Sequence, residues 1–283
     1  MNLNYQILRR LPPPLHFWLL KQSNRIKLSR VERVPCDPSA LIKGVTPELI
    51  RNLLVSSTYD AEWETLHAEI ETLKGAIGPS SVNYGENRAL YILIRHFNAH
   101  SALEVGTHVG GSTVHMVAAL KANSTPERAP RMVTVDIVDQ NTPASLARRL
   151  GIATPLEKIE HFGASDWTQF IQQPSLGYLA ETKEKFDFIF LDGDHAASVV
   201  YRELPAALER LNPGGVIMLH DYYPDGKALF SDHKITAGPW LAAKRLQREG
   251  AQFRIIPLGS LPWPTKLGST TTVLAMVVHT SLQ

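Results

Sequence analysis

Two short segments carry acids and histidines that could move a proton. D-G-D-H, with Asp192 and His195, follows the apolar run F-D-F-I-F-L. H-D-Y-Y, with His220 and Asp221, follows V-I-M-L. A histidine has a pKa near neutrality without tuning, which suits a general base. We predict that His195 is the base, with His220 as second candidate. The two aspartates would anchor the hydroxyl that loses its proton to the base.

A glycine-rich loop lies within the segment S-A-L-E-V-G-T-H-V-G-G-S, residues 101–112. A strand, a glycine turn and a helix N-terminus form the arrangement that nucleotide-like cofactors need. Gly106 and Gly110 let the backbone approach a ligand closely. Glu104 places a carboxylate at the end of the strand, which favours a cation or a hydroxyl donor and repels phosphate. The loop therefore predicts a site for S-adenosylmethionine, whose methionine end carries an ammonium and a carboxylate.

The elements that must position these residues alternate between strand and helix. Five apolar runs predict parallel strands: Ala102–Val105, Met132–Val138, Ile159–Phe162, Phe186–Leu191 and Val216–Leu219. A helix over Pro239–Arg248 and two further strands, Phe253–Leu258 and Thr271–His279, complete the pattern. We predict an α/β fold with a doubly wound, mostly parallel seven-stranded sheet. Ligands of such sheets bind beyond the carboxyl ends of the strands.

Two further strand ends fit the parts of an adenosine. Asp136 ends V-T-V-D and could accept both ribose hydroxyls. Gly163-Ala164-Ser165-Asp166 follows the third apolar run, and its small residues could accommodate the adenine. Each of these features alone has a structural explanation, such as a helix cap for Asp136 or Asp221. Their joint placement at successive strand ends favours a functional site.

Composition narrows the function classes. The chain has 283 residues, a formal net charge of +2 and 44% hydrophobic residues, which is ordinary for a globular protein. The charge is too small to predict nucleic-acid binding, and no apolar run has the length of a membrane span. Cys36 is the single cysteine, which excludes an internal disulfide. We expect a cytoplasmic protein with no transmembrane segment and no nucleic-acid partner.

The N-terminal region differs from the rest of the chain. We divide the chain into a helical arm, residues 1–75, and a catalytic domain, residues 76–283. Residues 1 to about 45 are basic and contain the apolar patch His16–Leu20. The arm is interpreted as packing on the core or on a second subunit, in preference to a membrane-surface helix. We expect a homo-oligomer built on residues 1–75.

The segment from Tyr84 to His279, about two thirds of the chain, resembles class I S-adenosylmethionine-dependent methyltransferases. It is most similar to the small-molecule O-methyltransferases of the catechol and macrolide-sugar types. The motifs that carry the resemblance are L-E-V-G-T-H-V-G-G-S, V-D-I, F-G-A-S-D, F-I-F-L-D-G-D-H and G-G-V-I-M-L-H-D-Y. The resemblance implies a cofactor site formed by Glu104, Gly106, Thr107, His108, Gly110, Ser112, Asp136, Ile137, Ala164, Ser165 and Asp192.

In the catechol-type enzymes the two aspartates matched by Asp192 and Asp221 are metal ligands. A lysine serves as base at the position of His195. The resemblance thus implies a Mg²⁺ site and a catalytic role for His195. The chain departs from this pattern at Tyr222, where those enzymes have an asparagine. Aromatic residues in the long segment 222–239, and Trp263 in G-S-L-P-W-P, are candidates for an acceptor pocket.

The function predicted from these features is methyl transfer from S-adenosylmethionine to a hydroxyl of a small molecule, such as a phenol, a sugar or a natural product. Three alternatives stay open at this point. A nicotinamide-dependent oxidoreductase would have a third glycine in the loop and no acid on the first strand. A non-catalytic protein with the same fold would be expected to lose the Asp192/His195/Asp221 group. A hydroxylase-like relative, or methyl transfer to nitrogen or carbon, would keep the fold with different chemistry.

Overall fold

The computed structural model describes residues 12–73 and 82–281. Arg9 and Arg10 of the basic arm lie outside these ranges. So does the predicted domain boundary near residue 75, and the division into arm and catalytic domain therefore stays a prediction.

A seven-stranded sheet forms the centre of the molecule, in the order β3-β2-β1-β4-β5-β7-β6. Its strands are β1 Ser101–Val105, β2 Arg131–Asp136, β3 Thr168–Gln172, β4 Phe186–Leu191, β5 Leu211–Leu219, β6 Phe253–Pro257 and β7 Ala275–His279. Strands β1 to β5 pair in parallel, and β7 pairs antiparallel with both β5 and β6. The predicted doubly wound, mostly parallel α/β sheet is confirmed.

Ten helices surround the sheet in the described ranges. They are α1 Pro13–Ser29, α2 Pro47–Val55, α3 Asp60–Glu71, α4 Tyr84–His96, α5 Gly111–Asn123, α6 Leu146–Arg149, α7 Pro155–Glu160, α8 Ser175–Glu181, α9 Ala197–Glu209 and α10 Gly238–Arg248. Within residues 12–73 and 82–281, none combines the length and apolar character that crossing a membrane requires.

The third strand lies elsewhere than the sequence pattern predicts. The apolar run Ile159–Phe162 belongs to the end of α7 and the turn after it, while β3 begins at Thr168. Thr154 and Glu157 form a reciprocal capping box, and Pro155 occupies the first turn, so this segment starts a helix. The strand prediction for 159–162 is therefore wrong, because four apolar residues fit a short helix as well as a strand.

Two apolar layers cover the two faces of the sheet. One contains α4 and α5 together with Ile50, Leu54, Trp63 and Ile70 of α2 and α3. The other contains α9 and α10, and α1 packs on this side through Leu28. The apolar residues of the helices in the predicted arm are buried in these two layers. The arm therefore shares the core of the sheet and does not form a separate unit.

Candidate functional site

A pocket of about 490 Å³ opens at the carboxyl ends of β1, β2, β3 and β4. From the predicted cofactor set it brings together Gly106, His108, Asp136, Ile137 and Asp192. It adds the segment Gln173–Leu176, which the sequence analysis did not select. The position matches the site where open α/β sheets bind their ligands.

The glycine loop has a backbone that only glycine can supply at its start. Gly106 has φ +100°, and a Cβ atom there would lie 2.3 Å from the carbonyl oxygen of Asp192. Gly110, with φ +77°, is the N-cap of α5 and packs against Pro155. The loop therefore turns sharply between β1 and α5 and leaves its backbone facing the pocket.

Glu104 lies beneath the pocket rather than in its wall. It is fully buried and accepts hydrogen bonds from Ser112 at 2.5 Å, Thr113 at 2.5 Å and Thr134 at 2.7 Å. Thr107 is hydrogen-bonded to Thr134 at 2.6 Å. Burial raises the pKa of Glu104 to about 7. This network ties the glycine loop to the sheet, so Glu104, Thr107 and Ser112 shape the site from behind.

Asp136 stands at the pocket edge with its carboxylate already oriented. Oδ2 accepts a hydrogen bond from the backbone N–H of His108 at 2.9 Å, and Oδ1 accepts one from Val138 at 2.9 Å. Ile137 beside it is 71% exposed and free to cover a ligand. The arrangement suits the binding of a ribose diol.

Ala164 and Ser165 lie away from this pocket. They precede β3, whereas the pocket lies beyond its carboxyl end, where Gln173 and Ser175 follow the strand. Ser175 is hydrogen-bonded to the buried carboxyl of Glu203, and burial raises the pKa of Glu203 to about 7. An adenine contact of Ala164 and Ser165 stays a prediction. The wrong strand assignment explains why the segment chosen for this contact precedes β3. The capping box in T-P-L-E was the signal that could have prevented this.

The four predicted catalytic residues come together at the ends of β4 and β5. His195 Nε2 lies 3.4 Å from Asp221 Oδ2 and 3.7 Å from Asp192 Oδ1. His220 Nδ1 lies 2.8 Å from Asp192 Oδ1 and 3.7 Å from Asp221 Oδ1. Thr236 donates a hydrogen bond to Asp221 at 3.1 Å. Because Asp192 also lines the cofactor pocket, the two groups of residues adjoin.

Glu86 is a member of this cluster that the sequence analysis missed. It comes from the first turn of α4 and is 2% exposed. Its carboxylate lies 3.2 Å from His220 Nε2 and accepts hydrogen bonds from Thr272 and Val273. No motif marked it, because an acid in the first turn of a helix is usually a cap.

The charge of His220 follows from its two acidic neighbours. Burial alone would lower the pKa of His220, but the carboxylates of Asp192 and Glu86 outweigh burial and hold it well above its ordinary value. Burial would raise the pKa of Glu86, but His220 and the hydrogen bonds from Thr272 and Val273 hold it below its ordinary value. His220 therefore has a carboxylate near each ring nitrogen, an arrangement that favours its protonated form.

A divalent metal fits this arrangement poorly. Magnesium needs about six oxygen ligands around an open position. Here the ring of His220 stands between Asp192 and Asp221 and already faces both with its Nδ1. Tyr222, at the position of the expected asparagine, is buried in the core. Over the described ranges, no group of three or more acids, histidines or cysteines could hold an ion.

The aromatic residues predicted for an acceptor pocket are packed inside. Tyr223 and Phe230 form a small cluster with Val273. Trp263 is 7% exposed and donates a hydrogen bond from Nε1 to the carbonyl of Gly85 at 2.7 Å. These rings support the segments around the site instead of presenting free faces.

Comparison with known proteins agrees with this geometry. Residues 103–222 match the family model described as a methyltransferase domain. The chain is 27% identical over 180 residues to a catechol O-methyltransferase of Niastella koreensis, across 62% of this chain and 73% of that protein.

Solved structures share the fold of this chain. An O-methyltransferase from Bacillus cereus, crystallised in complex with SAH, has 20% identity and a TM-score of 0.52, and covers 82% of this chain and 96% of its own. The O-methyltransferase TomG from Streptomyces achromogenes, solved with SAM, has 16% identity and a TM-score of 0.51, with coverage of 84% and 100%.

Proposed function

We propose that the protein transfers a methyl group from S-adenosylmethionine to a hydroxyl of a small molecule. The observation that carries this proposal is the position of Asp192. This residue lines the cofactor pocket and also approaches His195 and His220. The cofactor would therefore present its methyl group beside residues suited to a hydroxyl acceptor. The name of the Niastella koreensis relative supports a phenolic acceptor among the phenols, sugars and natural products considered.

We assign the base to His195. Its side chain is 32% exposed and open to an acceptor, and its Nε2 lies 3.4 Å from Asp221 Oδ2. His220 lies between the carboxylates of Asp192 and Glu86, which raise its pKa, and this makes it the poorer candidate for the base. The acceptor O–H bond breaks toward His195 as the oxygen attacks the methyl carbon in line with the departing sulfur. Products are the methyl ether, S-adenosylhomocysteine and a protonated His195.

The remaining acidic residues position the reactants. Asp221, held by Thr236, would orient the ring of His195 and stabilise the proton that it gains. Asp192, paired with His220, would hold the boundary between the cofactor site and the acceptor site in place. The proposed mechanism has no metal-dependent step, because the ring of His220 lies between Asp192 and Asp221, where an ion would have to bind. Neither the oxidoreductase nor the non-catalytic alternative gains support from the comparisons.

The test combines calorimetric binding of S-adenosylhomocysteine with turnover of catechol-like acceptors, each in the presence of Mg²⁺ and after chelation. We expect binding and turnover under both conditions. Absence of binding would overturn the methyltransferase proposal. Turnover that disappears on chelation and returns with Mg²⁺ would show that the metal-free mechanism is wrong.

The role of His195 is tested by His195→Ala, with His161→Ala as the matched control. His161 is a half-exposed histidine paired with Glu69 on another face. His195→Ala should lower turnover by about two to four orders of magnitude and leave the affinity for S-adenosylhomocysteine unchanged. His161→Ala should change neither. Near-wild-type turnover of His195→Ala would remove it from the role of base.

The predicted homo-oligomer and the cytoplasmic location stay predictions from the sequence. Light scattering coupled to size exclusion tests the first. Leu49 and Val55 of α2 are exposed apolar residues. We would substitute both to test whether they form a contact between subunits.

A further inference from the structure

Helix α1 presents an apolar stripe to the outside of the molecule. Leu15, Trp18 and Ile26 are 45%, 55% and 54% exposed. Their spacing, with Leu19 and Gln22 between them, places all five on one face of the helix. A folded protein seldom leaves a tryptophan and two large aliphatic residues on one outward face, and such patches mark interaction sites.

The orientation of α1 is fixed by polar contacts on its opposite face. Arg245 of α10 donates hydrogen bonds to the carbonyl oxygens of Leu28 and Val31. Lys21 Nζ donates to the carbonyl of Gly226 at 3.0 Å. Asn24 Oδ1 accepts a hydrogen bond from the backbone N–H of Ala197 at 2.8 Å. The helix cannot roll its apolar stripe inward without breaking these bonds.

The surroundings of the stripe are strongly cationic. Residues 12–31 contain four lysines and arginines and no acidic residue. Arg25 and Lys27 are exposed on α1, and Arg30 is exposed directly after it. A groove of about 810 Å³ beside the stripe, between α1 and α10, adds Lys244 and Arg248. The acid that lines this groove, Glu249, is already paired with Arg245 at 2.7 Å.

These positive charges indicate which kind of partner would bind the α1 surface. In an isologous dimer through α1, the same cations would approach their own copies, and this repulsion would weaken the contact. A small soluble anion would neutralise the cations of the groove but would leave the apolar stripe exposed. A surface that offers both negative charge and an apolar layer satisfies both features, and an anionic lipid bilayer is such a surface.

We propose that α1 docks the enzyme on the surface of an anionic membrane. Leu15, Trp18 and Ile26 enter the boundary between headgroups and acyl chains, a region where tryptophan is favoured. Arg25, Lys244 and Arg248 contact the lipid phosphates. The helix lies in the plane of the interface and does not cross it. This inference goes beyond the methyl-transfer reaction and does not depend on it.

The experiment is sedimentation of the full chain with vesicles of phosphatidylcholine alone or mixed with phosphatidylglycerol. We expect binding to the mixed vesicles, little binding to phosphatidylcholine, and weaker binding as salt rises from about 50 to 500 mM. Trp18→Ala should weaken binding by about tenfold or more through the loss of buried apolar area. Arg25→Gln combined with Lys244→Gln should weaken it by about 30-fold.

Leu267→Ala is the matched control, since Leu267 is 63% exposed in the last long loop. It should bind vesicles like the wild type. Affinity for S-adenosylhomocysteine, measured on every variant, shows that the fold is retained. Two outcomes would overturn the proposal: no binding to the anionic vesicles, or a dimer of the wild type that Trp18→Ala converts to a monomer. The second outcome would assign the stripe to a second copy of the chain.

Discussion

Replacing Glu86 by glutamine tests the buried ion pair behind the site. The carboxylate is 2% exposed and lies 3.2 Å from His220 Nε2. Glutamine keeps the volume but removes the charge, so a protonated His220 would keep only the carboxylates at its Nδ1, those of Asp192 and Asp221. Breaking one side of a buried pair costs about 3–5 kcal/mol. For a chain of this size, the loss corresponds to a decrease in Tm of about 6–10 °C.

The measurement is urea unfolding followed by circular dichroism, with calorimetry for Tm. Glu184→Gln is the control, because Glu184 pairs with Arg131 at 3.0 Å and is 44% exposed. An exposed pair of this kind contributes about 0–1 kcal/mol. The double variant with His220→Asn should lose less than the sum of the single losses, since both partners are then removed. If Glu86→Gln costs no more than Glu184→Gln, the pair is solvated and the reasoning is refuted.

Three further expectations follow from the site. Gly106→Ala should weaken binding of S-adenosylhomocysteine at least tenfold, measured by calorimetry, because its Cβ would collide with the Asp192 carbonyl and its φ is +100°. Ser175→Ala should weaken that binding several-fold while Ser165→Ala leaves it unchanged; the reverse result would restore the sequence-based adenine segment. The folded-state pKa of His220 is raised, so its contribution to stability is complete below about pH 6.5 and is lost as pH rises through the folded value. The free energy of unfolding should therefore decline on the alkaline side, and less so in His220→Asn.

Much of the fold could be predicted from the sequence, because long apolar runs identify buried strands. Phe186–Leu191 and the glycine loop after β1 were both identified, and the residues at their ends do meet in one site. The four-residue run at 159–162 was too short to distinguish strand from helix. Because of this error, the predicted adenine segment Ala164–Ser165 precedes β3, whereas Gln173 and Ser175 follow the strand and line the pocket.

The cluster at the ends of β4 and β5 shows a different limit of sequence-based prediction. Residue types and strand ends were sufficient to group Asp192, His195, His220 and Asp221. They could not show that Glu86, from a helix more than a hundred residues earlier in the chain, pairs with His220. The charge of His220 depends on this contact, and so does the preference for His195 as base. Periodicity places residues on faces, but only the packing of α4 against the sheet decides which buried atoms meet.

The hydrogen bond from Ala197 to Asn24 has a consequence for exchanging parts between enzymes. The N-terminus of α9, directly after the D-G-D-H segment, has no capping side chain of its own. The side chain of Asn24 in α1, 173 residues earlier in the chain, caps the backbone N–H of Ala197 instead. The N-terminal helix is therefore not a detachable module. A chimaera that takes α1 from one relative and the domain from another must carry a compatible residue at position 24. Without it, the exchange removes the side-chain cap at the start of α9, directly after the segment that carries His195.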